Sequence, residues 1–176
     1  MTSFTLIPFD KNTASAIAIT GEIQHQDNQL TIKYQLIGTS NIIVPHKADL
    51  PLREFDLWEH TCCEFFLGLK GDSKYWEFNL SPAGHWNVFR FLEYRQNIAE
   101  ETAFDTLPFQ VMQQNDYVQV SLNIDLSKII KPEQSIEVGV TAVVEDRQNQ
   151  LSYWALNHPG KEADFHLRDS FTIALS

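Results

Sequence analysis

The chain reads as an all-β antiparallel sandwich with little helix. Apolar residues recur at every second position over short runs, and those runs are separated by turn signals rich in Gly, Asn, Asp and Pro. No segment carries helical periodicity over a useful length, so the only architecture left for many short strands at regular spacing is sheet packed on sheet. The 176 residues form one domain, 1–176, long enough to bury a core without disulfides or metal.

Residues 15–24 and 29–37 flank Asp27-Asn28 and make a first hairpin, the second run alternating through Leu30, Ile32, Tyr34 and Leu36. Residues 38–55, broken by Pro45 and Pro51, form a loop with one short strand at 41–44. Three strands follow at 61–67, 75–80 and 86–92, the first two joined through Gly71-Asp72-Ser73 and the third begun by Ser81-Pro82-Ala83-Gly84. The acidic segment 96–106 is an irregular crossover or a helical turn. Residues 109–113 and 117–124 pair across Gln114-Asn115-Asp116, with Val118, Val120, Leu122 and Ile124 inward, and Asp125-Leu126-Ser127-Lys128 is a capped turn. Residues 135–145 place Ile136, Val138, Val140, Ala142 and Val144 on one face, and strands at 151–156 and 171–175 end the chain. There is no internal repeat and no low-complexity tract.

A net charge of −10 with scattered basic residues makes nucleic acid or an anionic membrane an unsuitable partner. The N-terminal stretch has neither a basic region nor an apolar run of secretory type, and no apolar run reaches bilayer length, so a soluble, cytoplasmic protein is expected. Cys62 and Cys63 are adjacent in a strand, point to opposite faces and are expected as reduced thiols.

Residue parity assembles a candidate site. If Cys63, Phe65 and Leu67 share a core with Trp76, Phe78 and Leu80, then Glu64, Glu77 and Asn79 stand together on the opposite face. Reading Phe89 and Phe91 as inward puts Arg90 on that face too, with Trp58 at its entrance. Carboxylate, amide and guanidinium beside an aromatic ring suit a sugar or another hydroxyl-rich ligand. The same residues also suit an ordinary wet sheet face, with Glu77 and Arg90 as a cross-strand ion pair worth under about 1 kcal/mol.

A second block, SYWALNHPGKEADFHLRDSF, contains a Pro159-Gly160 loop with Phe165 and His166, while Trp154, in a strand, reads as core. His158, Asp164 and His166 are the one conceivable metal set, but without a tight histidine pair or a CxxC no metal is expected. Glu64 and Glu77 on neighbouring strands leave open an enzyme acting on a sugar-like substrate, with either as acid or base. A protein-binding β-sandwich module would use the same wet face. There is no phosphate loop, GxSxG or HExxH.

Five blocks in order, LWEHTCCEFF, YWEFNLSPAGHWNVFRF, Tyr94-Arg95, SYWALNHP and DFHLRDSF, resemble the bacterial DOMON-like proteins of the family 9 carbohydrate-binding-module type. The resemblance implies a β-sandwich that clamps a terminal sugar between two aromatic rings. Trp58 followed by Glu64 matches the family's tryptophan and glutamate, Asn79 its asparagine, and Phe165 before Phe171 the second ring of the clamp, with phenylalanine in place of tryptophan. Glu77 stands where those modules carry arginine, and Thr61 where they carry aspartate. Some DOMON domains bind haem through methionine and histidine. Met112 is the only internal methionine here, so no haem and no other cofactor is expected. The expectation is a non-catalytic binding domain for a carbohydrate or small polar ligand, with Trp58, Glu64, Glu77, Asn79, Arg90, Phe165 and His166 as ligand-binding residues.

Overall fold

The computed structural model describes residues 1–12 and 17–175. Among them run twelve strands: β1 (Thr2–Pro8), β2 (Ala18–Gln26), β3 (Gln29–Ile37), β4 (Cys62–Leu69), β5 (Tyr75–Leu80), β6 (Trp86–Phe91), β7 (Ala99–Glu100), β8 (Phe109–Gln114), β9 (Tyr117–Asp125), β10 (Ile136–Glu145), β11 (Leu151–Ala155) and β12 (Ile173–Leu175). The helices are three single 3-10 turns, one of which, Leu57–Glu59, carries Trp58. The start of the strand expected at 15–24 lies partly outside the described residues.

The strand order is β7-β6-β5-β4-β10-β11-β1-β2-β3-β9-β8, with β12 pairing β10 at its lower end, and every pair between named strands is antiparallel. β1 makes this one continuous ladder fold back on itself. Its residues Thr2 to Leu6 pair β2, whereas Ile7 and Pro8 pair β11, so the strand changes sheets as sandwich corners do. No strand was expected over these residues. With Phe4 and Leu6 as its only buried anchors, β1 has too short an alternation to stand out.

The β2–β3 hairpin turns on Asp27 (φ 51°) and Asn28 (φ 61°), both left-handed, the conformation that matches the twist of the strands it joins. From β2, β3 and β9 come Ile19, Ile23, Ile32, Leu36, Val118 and Val120; from β4, β5 and β10 come Phe65, Leu67, Trp76, Phe78, Val138 and Val140; these sets meet in one core. Tyr34, fully buried in that core, donates its hydroxyl to the carbonyl oxygen of Glu64, which satisfies a polar atom far from water and ties β3 to β4. Trp154 is core, as expected, its indole donating to Ser152 Oγ at 2.9 Å. The crossover at 96–106 supplies only the two-residue β7, and 41–44 contributes a single bridge at Ile42 rather than a strand.

One expectation is corrected by register. Tyr75 pairs Phe91, Trp76 pairs Arg90 and Glu77 pairs Phe89, without a bulge. Arg90 therefore shares the face of Trp86, Val88 and Trp76, the side turned to the sandwich interior, while Phe89 and Phe91 stand beside Glu77. Each parity of β6 carries two apolar residues and one polar one, Arg90 with Trp86 and Val88 and Asn87 with Phe89 and Phe91, so alternation alone does not orient it, and the charge of Arg90 is a misleading guide. A long side chain can lie half buried along apolar surface.

Candidate functional site

The outer face of β4–β5–β6 is not wet. β4 and β5 are buried at every residue, on both sides. A second apolar cluster, Phe66, Tyr75, Phe89, Phe91 and Phe171, covers that face, with Trp58 and Phe165 packed at its edge.

Two glycines let the C-terminal segment lie down there. A methyl group at Gly68 would stand 2.0 Å from the Arg168 guanidinium, and one at Gly139 would stand 2.9 Å from the Phe171 ring. Arg168 donates to the Leu69 carbonyl at 3.0 Å and to Glu137 Oε2 at 2.9 Å, which pins the segment and brings Phe165 and His166 over the sheet.

What remains uncovered is a cleft of about 520 Å³. Its walls are aromatic: Trp58, Phe66, Phe89, Phe91, Tyr153 and Phe165. Its polar groups are Glu59, Glu64, Glu77, Arg95 and His166. The structure thus gathers Trp58, Glu64, Glu77, Phe165 and His166 around one space. Asn79 does not line it. Fully buried, Asn79 donates from Nδ2 to Glu77 Oε1 at 2.9 Å and so holds that carboxyl in place from behind. Arg90 is not among the lining residues, and its place is taken by Arg95. His158 is remote from the cleft, packed edge-on against Phe9 and bonded to the Ile7 carbonyl at 2.9 Å, so it does not converge with Asp164 and His166.

Arg95 follows β6 in a tight loop in which Arg95 and Asn97 both take left-handed backbone angles. Its guanidinium meets Asp164 Oδ1 at 2.9 Å, and Asp164 also accepts from Tyr94 at 2.6 Å and from the His166 amide at 3.0 Å. Asp164 is therefore the joint that fastens the C-terminal loop to the loop after β6, and the positive charge of Arg95 is engaged there. Sequence reasoning treated Tyr94-Arg95 only as part of a family block. The strand parity that placed Glu77 would also have placed Tyr75 on this face.

Tyr75 stacks on Phe91 with ring centroids 4.7 Å apart and planes within 1°. Its oxygen accepts the Arg95 amide at 3.1 Å and shares a hydrogen bond with His166 Nδ1 at 2.9 Å. The other ring nitrogen of His166, Nε2, faces Glu77 Oε2 at 3.8 Å, which is beyond hydrogen-bond length. Burial foremost, with Arg95 adding repulsion, depresses the His166 pKa to about 4. The imidazole is neutral near pH 7, and this contact is not an ion pair.

The two carboxyls are shifted the other way. Burial raises Glu77 to about 7, opposed by the Asn79 hydrogen bond and by Arg95. Burial, then the charge of Glu77, hold Glu64 well above the usual carboxylate range. Glu64 Oε2 has only the Thr141 hydroxyl, at 3.4 Å, and its Oε1 and Asn79 Oδ1 have no partner at all. Buried polar atoms are nearly always satisfied, so these two orphaned oxygens, on opposed residues of β4 and β5, are open to a hydrogen-bond partner. Cys62 and Cys63 are free and fully buried, and burial raises both thiols, so neither is a nucleophile.

No family model and no curated protein matches the chain. Among solved structures it is similar to a candidate carbohydrate-binding protein from Bacteroides uniformis, with 13% identity, a TM-score of 0.73, and coverage of 99% of this chain and 85% of the other. It is also similar to a carbohydrate-binding module of family 9 from Caldicellulosiruptor kristjanssonii, solved in complex with glucose, with 12% identity, a TM-score of 0.54, and coverage of 93% and 78%. At these identities the likeness establishes a shared β-sandwich fold.

Proposed function

We propose that the protein is a non-catalytic, DOMON-like binding domain for a carbohydrate or closely related polyhydroxylated ligand, held in the cleft with Trp58 and Phe165 as its aromatic walls. The observation that carries this reading is an aromatic cleft lined by Glu64, whose buried Oε1 lacks any hydrogen-bond partner. A sugar supplies both halves of the complement: C–H faces for the rings and hydroxyl donors for the floor. The glucose complex of the structurally similar family 9 module supports the same ligand class.

Trp58 is the only tryptophan lining the cleft, since Trp76, Trp86 and Trp154 are buried in the core. A panel of mono- and disaccharides should therefore quench or shift tryptophan fluorescence. A ligand at 100 times its dissociation constant should raise stability by about 2.7 kcal/mol. Trp58→Ala should abolish the optical signal and weaken binding by about 1–3 kcal/mol, by analogy with the loss of one stacked base. Absence of binding across the panel would refute the reading. Turnover of a glycoside that disappears in Glu64→Gln would replace binding by hydrolysis, with the two glutamates as acid and base.

A further inference from the structure

The polar atoms of the cleft are mismatched in one direction. On the floor, Glu64 Oε1 has no partner, Glu64 Oε2 has one long contact at 3.4 Å from Thr141, and Glu77 Oε2 has only the imidazole at 3.8 Å. Glu64 is 2% exposed and Glu77 6%, and Glu64 Oε1 is itself shut off from solvent. Glu59 adds a third carboxylate at the rim. The single guanidinium in the lining, Arg95, is held by Asp164 at 2.9 Å, which leaves the cleft with more carboxyl groups than free cations.

A neutral sugar hydroxyl brings one hydrogen and lone pairs that need a donor of their own, and the floor has few donors left. A primary ammonium brings three hydrogens and no acceptor. It supplies the counter-charge that the buried carboxyls of Glu64 and Glu77 lack, so that its arrival draws them toward the ionised form, and six aromatic rings around it favour a cation electrostatically. We propose that the preferred ligand is an amino sugar, its ammonium group seated on Glu64 and Glu77 and its ring lying between Trp58 and Phe165. This rests on the carbohydrate reading above and narrows it. The same reasoning excludes uronic acids and sugar phosphates as preferred ligands, because the Arg95 charge is already taken.

The test compares glucose, the 2-amino-, 3-amino- and 6-amino-deoxyglucoses, and the N-acetylated form of whichever amine binds best, by calorimetric titration of the intact chain at one pH. At least one amine should bind about tenfold tighter than glucose, since hydrogen bonds to charged groups exceed neutral ones by roughly that factor. N-acetylation, which removes the charge, should erase the gain; this arm needs no variant. Glu64→Gln should collapse the ratio of amine to glucose affinity toward one. If glucose binds and no amine binds more tightly, the amino-sugar inference is overturned while the carbohydrate reading stands. If none of the sugars binds, both fall. An amine advantage that survives both N-acetylation and Glu64→Gln would also overturn it, because the advantage would not come from the charge.

Discussion

The two halves of the sandwich obey different burial rules. In β3 and β9 buried residues alternate with exposed or half-buried ones, the pattern of a sheet with one dry and one solvated face. In β4 and β5 the alternation of exposure vanishes, although the alternation of chemistry persists: Phe65, Leu67, Trp76 and Phe78 inward; Glu64, Phe66, Tyr75 and Glu77 outward. The first sheet is covered once, by its partner sheet. The second is covered twice, by its partner and by the segment running from Phe165 to Phe171. Burying glutamates under such a cover costs stability unless something is gained, and a site with preorganised polar groups is the gain that physical chemistry offers.

The largest effects should separate the two faces of one strand. Phe65 stacks on Phe78 at 4.4 Å in the interior, and Phe65→Ala should cost about 3–5 kcal/mol because the void left there is closed and dry. Phe66, next in sequence and equally buried, lines the cleft. Phe66→Ala should cost distinctly less, about 2 kcal/mol, since the space it vacates opens into an existing cavity that solvent can fill. Urea unfolding midpoints of the two variants give the comparison. Equal costs would mean that the cleft face is as closed as the core.

A smaller, pH-dependent effect belongs to the doubly covered sheet alone. Glu77 is raised from 4.5 to about 7, so the folded state holds a proton that the unfolded state has released, and its contribution to stability declines as pH rises from about 4.5 to about 7. His166 is lowered from 6.5 to about 4, so the unfolded state holds the extra proton and its contribution grows as pH rises from about 4 to about 6.5. Over the shared window the two slopes oppose, and the wild type should show little pH dependence from this pair. Relative to the wild type, Glu77→Gln should tilt the profile upward with pH through that window and His166→Asn should tilt it downward, each by on the order of 2 kcal/mol, with the raised Glu64 common to all three proteins. Denaturant titrations at pH 4.5, 5.5 and 6.5 check this. Parallel profiles in all three proteins would show that these groups are not buried as described.

How far the sequence reached follows from the same contrast. Where one face is wet, period two orients a strand, and β2, β3 and β9 were legible almost residue by residue. On β4 and β5 the apolar residues on the cleft side, Cys62, Phe66 and Tyr75, sit beside glutamate or asparagine, and those polar neighbours still broke the tie correctly. β6 has Asn87 on the side of Phe89 and Phe91, but Arg90 on the other side outweighed it and inverted the reading. Arg95 and Tyr153 enter the cleft through contacts distant in sequence, Arg95 through its bond to Asp164. Nothing local announces such pairs. The docking of the C-terminal segment depends on Gly68 and Gly139, whose meaning is visible only once Arg168 and Phe171 lie on them.

The smallest expected effect is also the sharpest control on the contrast. Thr31 lies on the exposed face of β3, in register with Gln24 of β2 and Asn123 of β9, so a longer side chain there meets neutral partners directly across, water, and charges of both signs one step away in Lys33, Glu22 and Asp125. Thr31→Lys loses some strand propensity and places a positive charge on a chain whose net charge is −10, two modest terms of opposite sign. Stability should change by less than about 0.5 kcal/mol, the usual range for a surface substitution. A loss several times larger, measured by the same urea titrations, would show that the face of β2, β3 and β9 is covered in solution by something other than water. The candidate cover would then be a second copy of this chain, and a concentration-dependent sedimentation profile that Thr31→Lys abolishes would identify it. The distinction between a singly and a doubly covered sheet would then fail, and the buried glutamates would no longer mark the β4–β5 face as the exceptional one.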